Sequence, residues 1–293
     1  VPARLSACRR RWSVFLPQNR SSSNAVVRTM PDQSKSGFAA RWVQRLRRLS
    51  GLLRSLTIYY GVPWRGAAIR RLHAQWVPRG GLCFDVGAHV GNRIRAWRAL
   101  GANVVAVEPQ PDLLRLLRLF YGRDDGVCIV DAALGAADGN AVLRGAPGNL
   151  TVATLSQDWI RERERESAFR GIQWRAGDRV RVTTLNALIA AWGVPDFVKI
   201  DVEGFEAEVL AGLDTALPCL SFEYLSASTH RALSCVDRLE SLAAYRYNWS
   251  PGECHRLVLT HWCDADRARD FIRTLTPGDG SGDIYARLPG CSD

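Results

Sequence analysis

Methionine occurs once in the 293 residues, at Met30. No two cysteines are spaced Cys-x-x-Cys, although cysteines stand at 8, 83, 128, 219, 235, 254, 263 and 291. That spacing excludes the common thiol redox motif and the common zinc sites, which draw ligands in close pairs. Cys254, His255, His261 and Cys263 crowd a late segment, but in no usual zinc pattern. No stretch supplies the ~20 unbroken apolar residues that a membrane-spanning helix needs. Acids are missing from residues 1–29, where Arg4, Arg9, Arg10, Arg11, Arg20 and Arg28 supply +6 of the formal charge of +10. The remainder therefore carries only +4. No basic stretch is interleaved with aromatics as a nucleic-acid stacking surface requires, so no nucleic-acid partner is expected.

Also missing is the Gly-x-Gly-x-x-Gly fingerprint of dinucleotide sites. In its place stands Leu82-Cys-Phe-Asp-Val-Gly-Ala-His-Val-Gly-Asn92, an apolar run that ends in an acid and opens into two glycines. Ile94, Trp97 and Leu100 follow at helical spacing. The unit reads as buried strand, glycine loop and helix, the cofactor end of a doubly wound sheet. Asp85 would repel a pyrophosphate but can accept hydrogen bonds from an ammonium group, which favours S-adenosylmethionine over a dinucleotide. Val104-Val-Ala-Val107 then delivers Glu108 about 20 residues after the loop, where a carboxylate can accept from both hydroxyls of a ribose.

Phe84-Asp-Val-Gly-Ala-His-Val-Gly91, Val107-Glu-Pro109, Thr184-Leu185 and Lys199-Ile-Asp-Val-Glu-Gly-Phe-Glu206 together resemble the FkbM-type family of S-adenosylmethionine-dependent methyltransferases. The resemblance runs from roughly residue 80 to the end of the sheet. His89 departs from it, since many members carry Asn there. It implies an α/β fold of class I methyltransferase type, with a Rossmann-like sheet ordered 3-2-1-4-5-7-6, N-terminal helices and an insertion between strands 3 and 4. The expected cofactor contacts are Asp85, Gly87, Ala88, His89, Gly91 and Asn92 in the loop, Glu108 and Pro109 after the second strand, and Asp131 and Ala132 after the third.

Residues 1–29 show no periodicity and are read as a disordered extension ahead of a true start at Met30. Arg9-Arg-Arg-Trp-Ser-Val-Phe-Leu16 is similar to a twin-arginine signal, but its apolar core is short and Pro17 breaks it. Residues 30–79 form a helical segment. Within it, Trp42, Leu46, Leu49, Leu53 and Leu56 mark an amphipathic helix with arginines at 41, 45, 47, 48 and 54. Its apolar stripe is expected to pack on the domain behind it, with an anionic membrane surface as the other candidate. Residues 80–293 form the methyltransferase domain. Cys83, Cys128 and Cys219 fall on or beside its core strands as small apolar residues, and a reducing cytoplasm is the expected location.

After the third strand, Val127–Val130, residues 136–143 read as a hairpin centred on Gly139-Asn140. Residues 144–195 form the insertion, with a short charged helix from Asp158 to Glu166. This insertion is expected to build the acceptor pocket, with Trp159, Phe169 and Trp174 as walls. Thr184 caps a helix from Leu185 to Trp192, and the fourth strand runs from Phe197 to Val202. Alternation sends Lys199, Asp201 and Glu203 to one side, a costly arrangement under a covered sheet unless the charges are paired or working. Leu220–Tyr224 brings Glu223 to the same edge. Lys199, Asp201, Glu203 and Glu223 are the candidate catalytic residues. By analogy with catechol-type enzymes, Asp201 and Glu223 could hold a divalent cation, but no metal site is assigned. Tyr245–Trp249, Arg256–Thr260 and Asp283–Ala286 read as the last strands.

These residues point to methyl transfer onto a hydroxyl of a sugar or another polyhydroxylated small molecule or glycan, with Asp201 or Glu203 taking the proton. The rival readings are a cofactor-binding protein held at a membrane surface by its basic helix, without transfer, and a nicotinamide-dependent oxidoreductase.

Overall fold

Apolar strands flanked by helices build the central sheet, and the alternation of their side chains sends one core to each face. The structure, a computed structural model, describes residues 50–57, 59–61, 63–146, 148–166 and 169–291. The expected extension at 1–29 and the first part of the amphipathic helix lie outside these residues. The central sheet contains β1 (Leu82–Val86), β2 (Asn103–Glu108), β3 (Val127–Asp131), β8 (Phe197–Ile200), β9 (Cys219–Leu225), β10 (Arg246–Pro251) and β11 (Ser281–Arg287). Their spatial order is β3-β2-β1-β8-β9-β11-β10. Counting only these strands in chain order gives 3-2-1-4-5-7-6. β11 runs antiparallel to both β9 and β10, which ends that edge of the sheet in an antiparallel pair whose connection carries a helix.

Helices α1 (Pro63–His73) and α2 (Asn92–Ala99) cover one face, where Leu72, Trp76, Ile94 and Trp97 pack on Cys83, Val104, Phe197 and Tyr285. α3 (Pro111–Tyr121) follows β2 and buries Leu113, Leu114 and Leu117. The other face is covered by α5 (Leu185–Trp192), α6 (Glu206–Ala211), α7 (Thr229–Glu240) and α8 (Ala265–Thr274), whose apolar sides meet Phe84, Val105, Val198 and Phe222. Thr184 caps α5 as expected, its hydroxyl accepting from the Ala187 N–H at 3.1 Å.

Between the third and fourth strands of this sheet the chain builds a second sheet, ordered β4-β7-β5-β6. Its strands are β4 (Ala133–Leu134), β5 (Gly139–Ala146), β6 (Asn149–Thr154) and β7 (Arg175–Thr183), with α4 (Gln157–Arg163) between the last two. The expected hairpin at Gly139-Asn140 is absent. β5 runs straight through both residues because they pair with Val182 and Arg181 of β7, and the reversal comes at Gly148. Nor is 256–260 a strand; β10 instead makes a single bridge from Tyr247 to Cys263.

Residues 50–57 are helical, but their buried side is not the expected stripe. Leu53 is 64% exposed, whereas Gly51 and Ser55 are buried. A Cβ on Gly51 would come within 3.1 Å of the Gly148 backbone, so this helix abuts the β5–β6 turn along its smallest residues. No helix among the described residues is long and apolar enough to cross a membrane.

Candidate active site

Strand register puts a polar row across the middle of an apolar sheet. Asp85 on β1 pairs with Lys199 on β8, Lys199 with Ser221 on β9, and Ser221 with Tyr285 on β11. Lys199 is fully buried, and an unpaired ammonium there would cost several kcal/mol. It is not unpaired. Its Nζ lies 2.7 Å from Asp283 and 3.6 Å from Asp201. Burial opposes its charge, but those two carboxylates win and hold the Lys199 pKa above its ordinary value. Lys199 is therefore an ammonium and no proton acceptor. Arg93 on α2 reaches the same carboxylate, 3.1 Å from Asp201. Burial pushes the Asp201 carboxyl up, while Lys199 and Arg93 pull it further down, to a net value below normal.

The loop after β8 is held by three side chains through four hydrogen bonds. Glu206 accepts from the Val202 and Gly204 N–H groups, each at 3.1 Å. Thr154 of the second sheet donates to the Glu203 carbonyl at 2.7 Å, and Arg231 donates to the Gly204 carbonyl at 2.7 Å. Gly204 has a φ of 82°, and a Cβ there would overlap the Trp159 ring. The fixed loop sets Glu203 at a φ of 55°, left-handed backbone that a non-glycine residue adopts at a cost of ~1–3 kcal/mol. Carboxylate oxygens of Asp201, Glu203 and Glu223 thereby lie within 4.8 Å of one another.

At the carboxyl ends of β1, β2 and β8 a cleft encloses ≈ 740 Å³, its mouth included. Gly87, His89, Asn92, Glu108, Pro109, Ala132, Asp201 and Glu203 line it together with Tyr59 and Arg93, and Leu150, Thr151 and Ala153 of the second sheet form its other wall. Glu108 accepts from the His89 N–H at 2.9 Å on one oxygen and from the Gln110 N–H at 2.8 Å on the other. Burial still pushes its carboxyl up to about 7. The His89 ring is driven down to about 4 by burial and is neutral, its Nε2 3.4 Å from the Ser55 hydroxyl and its Nδ1 without a partner.

A family model described as methyltransferase FkbM domain matches residues 85–227, which contain the glycine loop, Glu108 and the whole pinned loop. Those residues belong to the FkbM methyltransferase family. The domain's methyl donor is S-adenosylmethionine. No curated protein matches the sequence. Among solved structures, the chain is similar to a TehB-like S-adenosylmethionine-dependent methyltransferase from Corynebacterium glutamicum, at 13% identity over 86% of this chain and 97% of that one, with a TM-score of 0.41. It is also similar to a putative O-methyltransferase from Klebsiella pneumoniae, at 8% identity over 81% and 89%, TM-score 0.41. A third is the precorrin-6y C5,15-methyltransferase from Geobacter metallireducens, at 11% identity over 76% and 86%, TM-score 0.37.

The cleft of the FkbM domain fits its donor on two observations. Each oxygen of Glu108 accepts one backbone bond and retains a lone pair for a ribose hydroxyl. Asp85 is 1% exposed and neither of its oxygens has a partner, which raises its carboxyl to about 6 by burial and leaves two acceptors for an ammonium group. Asp85 does not itself line the cleft, although its neighbour Val86 does. Ala88 and Gly91 also sit outside the lining. Gly87 and Gly91 were expected to admit a ligand, but what comes closest to them is the chain itself. A Cβ on Gly87 would overlap the Asp201 carbonyl, and one on Gly91 would meet Tyr121 at 2.6 Å. Asp131 is exposed, pairs with Arg118 at 3.1 Å and is not among the residues that line the cleft, whereas the buried Ala132 is.

A second, open cavity of ≈ 1430 Å³, mouth included, adjoins the first. Of the three expected aromatic walls only Phe169 lines it. Trp159 is 1% exposed and packs edge-on against Phe169 and Trp174 in a small core of the insertion. Burial, reinforced by Asp201 and Glu206, raises the Glu203 carboxyl well above its ordinary value; burial with Asp201 and Glu203 does the same to Glu223. A metal ion is the other occupant such a trio could hold, but Asp201 is already matched by two cations and offers little further charge. Sequence reasoning missed Arg93, Asp283, Glu206 and Tyr59. Glu206 alone left a signal, as the last acid of the Lys199–Glu206 segment.

Proposed function

We propose that the chain transfers the methyl group of S-adenosylmethionine to a hydroxyl oxygen of a sugar or another polyhydroxylated small molecule. One observation carries the reading: Glu203 lines both cavities, so a single carboxyl faces the donor cleft on one side and an open acceptor space on the other. When bound, the donor supplies an electrophilic methyl carbon on a sulfonium. An acceptor oxygen would bond to that carbon as the carbon–sulfur bond gave its pair to sulfur, and Glu203 would take the hydroxyl proton and pass it to water. A hydroxyl is a weak nucleophile, and a carboxylate whose pKa has been raised is the better base for it. Asp201 is read as a positioning residue. Its charge is taken up by Arg93 and Lys199, and it fixes the start of the loop that presents Glu203. Glu108, which lines the cleft, holds the ribose of the donor.

The test uses methyl-labelled donor with a metabolite and glycan extract. The labelled product is expected to carry an O-methyl ether, and Glu203→Gln to lower kcat by ~10²–10⁴-fold with S-adenosylhomocysteine affinity nearly unchanged. Label on nitrogen or carbon, or a Glu203→Gln protein that turns over normally, overturns the reading.

A further inference from the structure

The second cavity is electrically lopsided. At the strand ends of the main sheet it is closed by Glu203 and Glu223. Its lining also includes the exposed Arg54 from the helical residues 50–57 and the exposed Arg175 from the start of β7, with Gly148 and Asn149 of the β5–β6 turn and Gln173. The contact of Gly51 with the Gly148 backbone places Arg54, one helical turn on, beside that turn. Arg175 opposes Gly145 at the far end of β5. Its only hydrogen bond among the described residues is to the Gln173 carboxamide, at 3.4 Å, and neither arginine has a carboxylate partner there. Other surface arginines are paired on their own helices, as Arg115 with Asp112, Arg161 with Asp158 and Arg273 with Asp270 show.

We infer that the acceptor is anionic: it carries a phosphate or carboxylate that Arg54 and Arg175 hold, which directs its hydroxyl inward to Glu203. Two guanidinium groups can clamp such an oxyanion through several N–H donors. The acids at the other end repel the same anion, so one orientation is favoured by charge alone. Arg54 lies outside residues 85–227 and Arg175 stands in the insertion between the third and fourth strands of the main sheet, so selection of the acceptor falls largely to parts of the chain outside the cofactor loops or inserted between them. This rests on the second cavity being the acceptor site of the proposed transfer.

Calorimetry on the full chain loaded with S-adenosylhomocysteine tests it, using a hexose 6-phosphate, a hexuronate and the parent hexose as probes. At least one anionic probe is expected to bind at concentrations where the parent hexose is silent, and the tighter of the two identifies the anion. Arg54→Gln combined with Arg175→Gln should weaken that binding at least ~10-fold and leave S-adenosylhomocysteine affinity unmoved. Equal binding of the neutral hexose, no binding of either anion, or anion binding indifferent to the double substitution overturns the inference. The transfer reading is judged separately by the labelled product. An O-methylated neutral sugar would sustain transfer and sink the anion, whereas anion binding lost in the double variant without any O-methyl product would do the reverse.

Discussion

Glu108 shows how a single residue ties cofactor affinity to pH. Its pKa of about 7 comes first from burial, partly offset by the Gln110 and His89 N–H bonds and reinforced by the nearby charge of Asp85. Ribose hydroxyls donate, so they bind the carboxylate and not the neutral acid. The sign follows: affinity is full above pH 7 and is lost as pH falls through it. S-adenosylhomocysteine is expected to bind ~10-fold more weakly at pH 6 than at pH 8, and Glu108→Gln to bind weakly at both, with a flat profile. A wild-type profile flat across that range would remove Glu108 from the ribose. The carboxylates on strand ends were legible in the sequence because each ends an apolar run. Arg93 and Asp283 were not, because the charges they answer lie over 80 residues away in the chain, and only the strand register brings them together.

Among elements, the strand-to-loop junctions at Gly87 and Asp201 are locked to each other. Gly87 has a φ of 83°, and its missing Cβ is what allows the Asp201 carbonyl to sit against it. Gly80 has nearly the same φ, 79°, but nothing within 4 Å of where a Cβ would stand. Comparing the two separates backbone strain from crowding. Gly80→Ala should cost only the ~1–2 kcal/mol of left-handed backbone, while Gly87→Ala should cost ~3 kcal/mol or more, read as the denaturation midpoint in urea. Equal losses would mean that Gly87 is needed for its conformation alone. The parallel strands were readable at this scale because they are buried on both faces and so appear as unbroken apolar runs. The second sheet was not. β7 begins with five exposed residues, β5 pairs with both its neighbours through register shifts, and Gly139-Asn140 imitates a turn. Its strands are specified by partners, and the local pattern carries little of that information.

For the whole molecule, the methyltransferase sheet and the helical residues before it meet at the cofactor loop. Tyr60 donates to the Val90 carbonyl at 3.0 Å and shares a 3.1 Å contact with the Tyr121 hydroxyl, which itself donates to the Gly91 carbonyl. Ser55 approaches His89, and Tyr59 stands edge-on to the same ring at 5.1 Å while lining the cleft. Of the residues in these contacts only Tyr121 packs against an apolar core of the sheet; Ser55, Tyr59, Tyr60 and His89 belong to neither core. The helix is therefore coupled to the site more than to the stability of the fold. Tyr60→Phe removes one hydroxyl from this chain of bonds and leaves the ring. It should move thermal stability by no more than ~1 kcal/mol while weakening S-adenosylhomocysteine severalfold, because the ligand then has to order a loop that the helix no longer fixes. Calorimetry and a thermal melt on one preparation measure both quantities. A variant that loses stability but not affinity would place the 50–61 segment among the supports of the fold and remove it from the site.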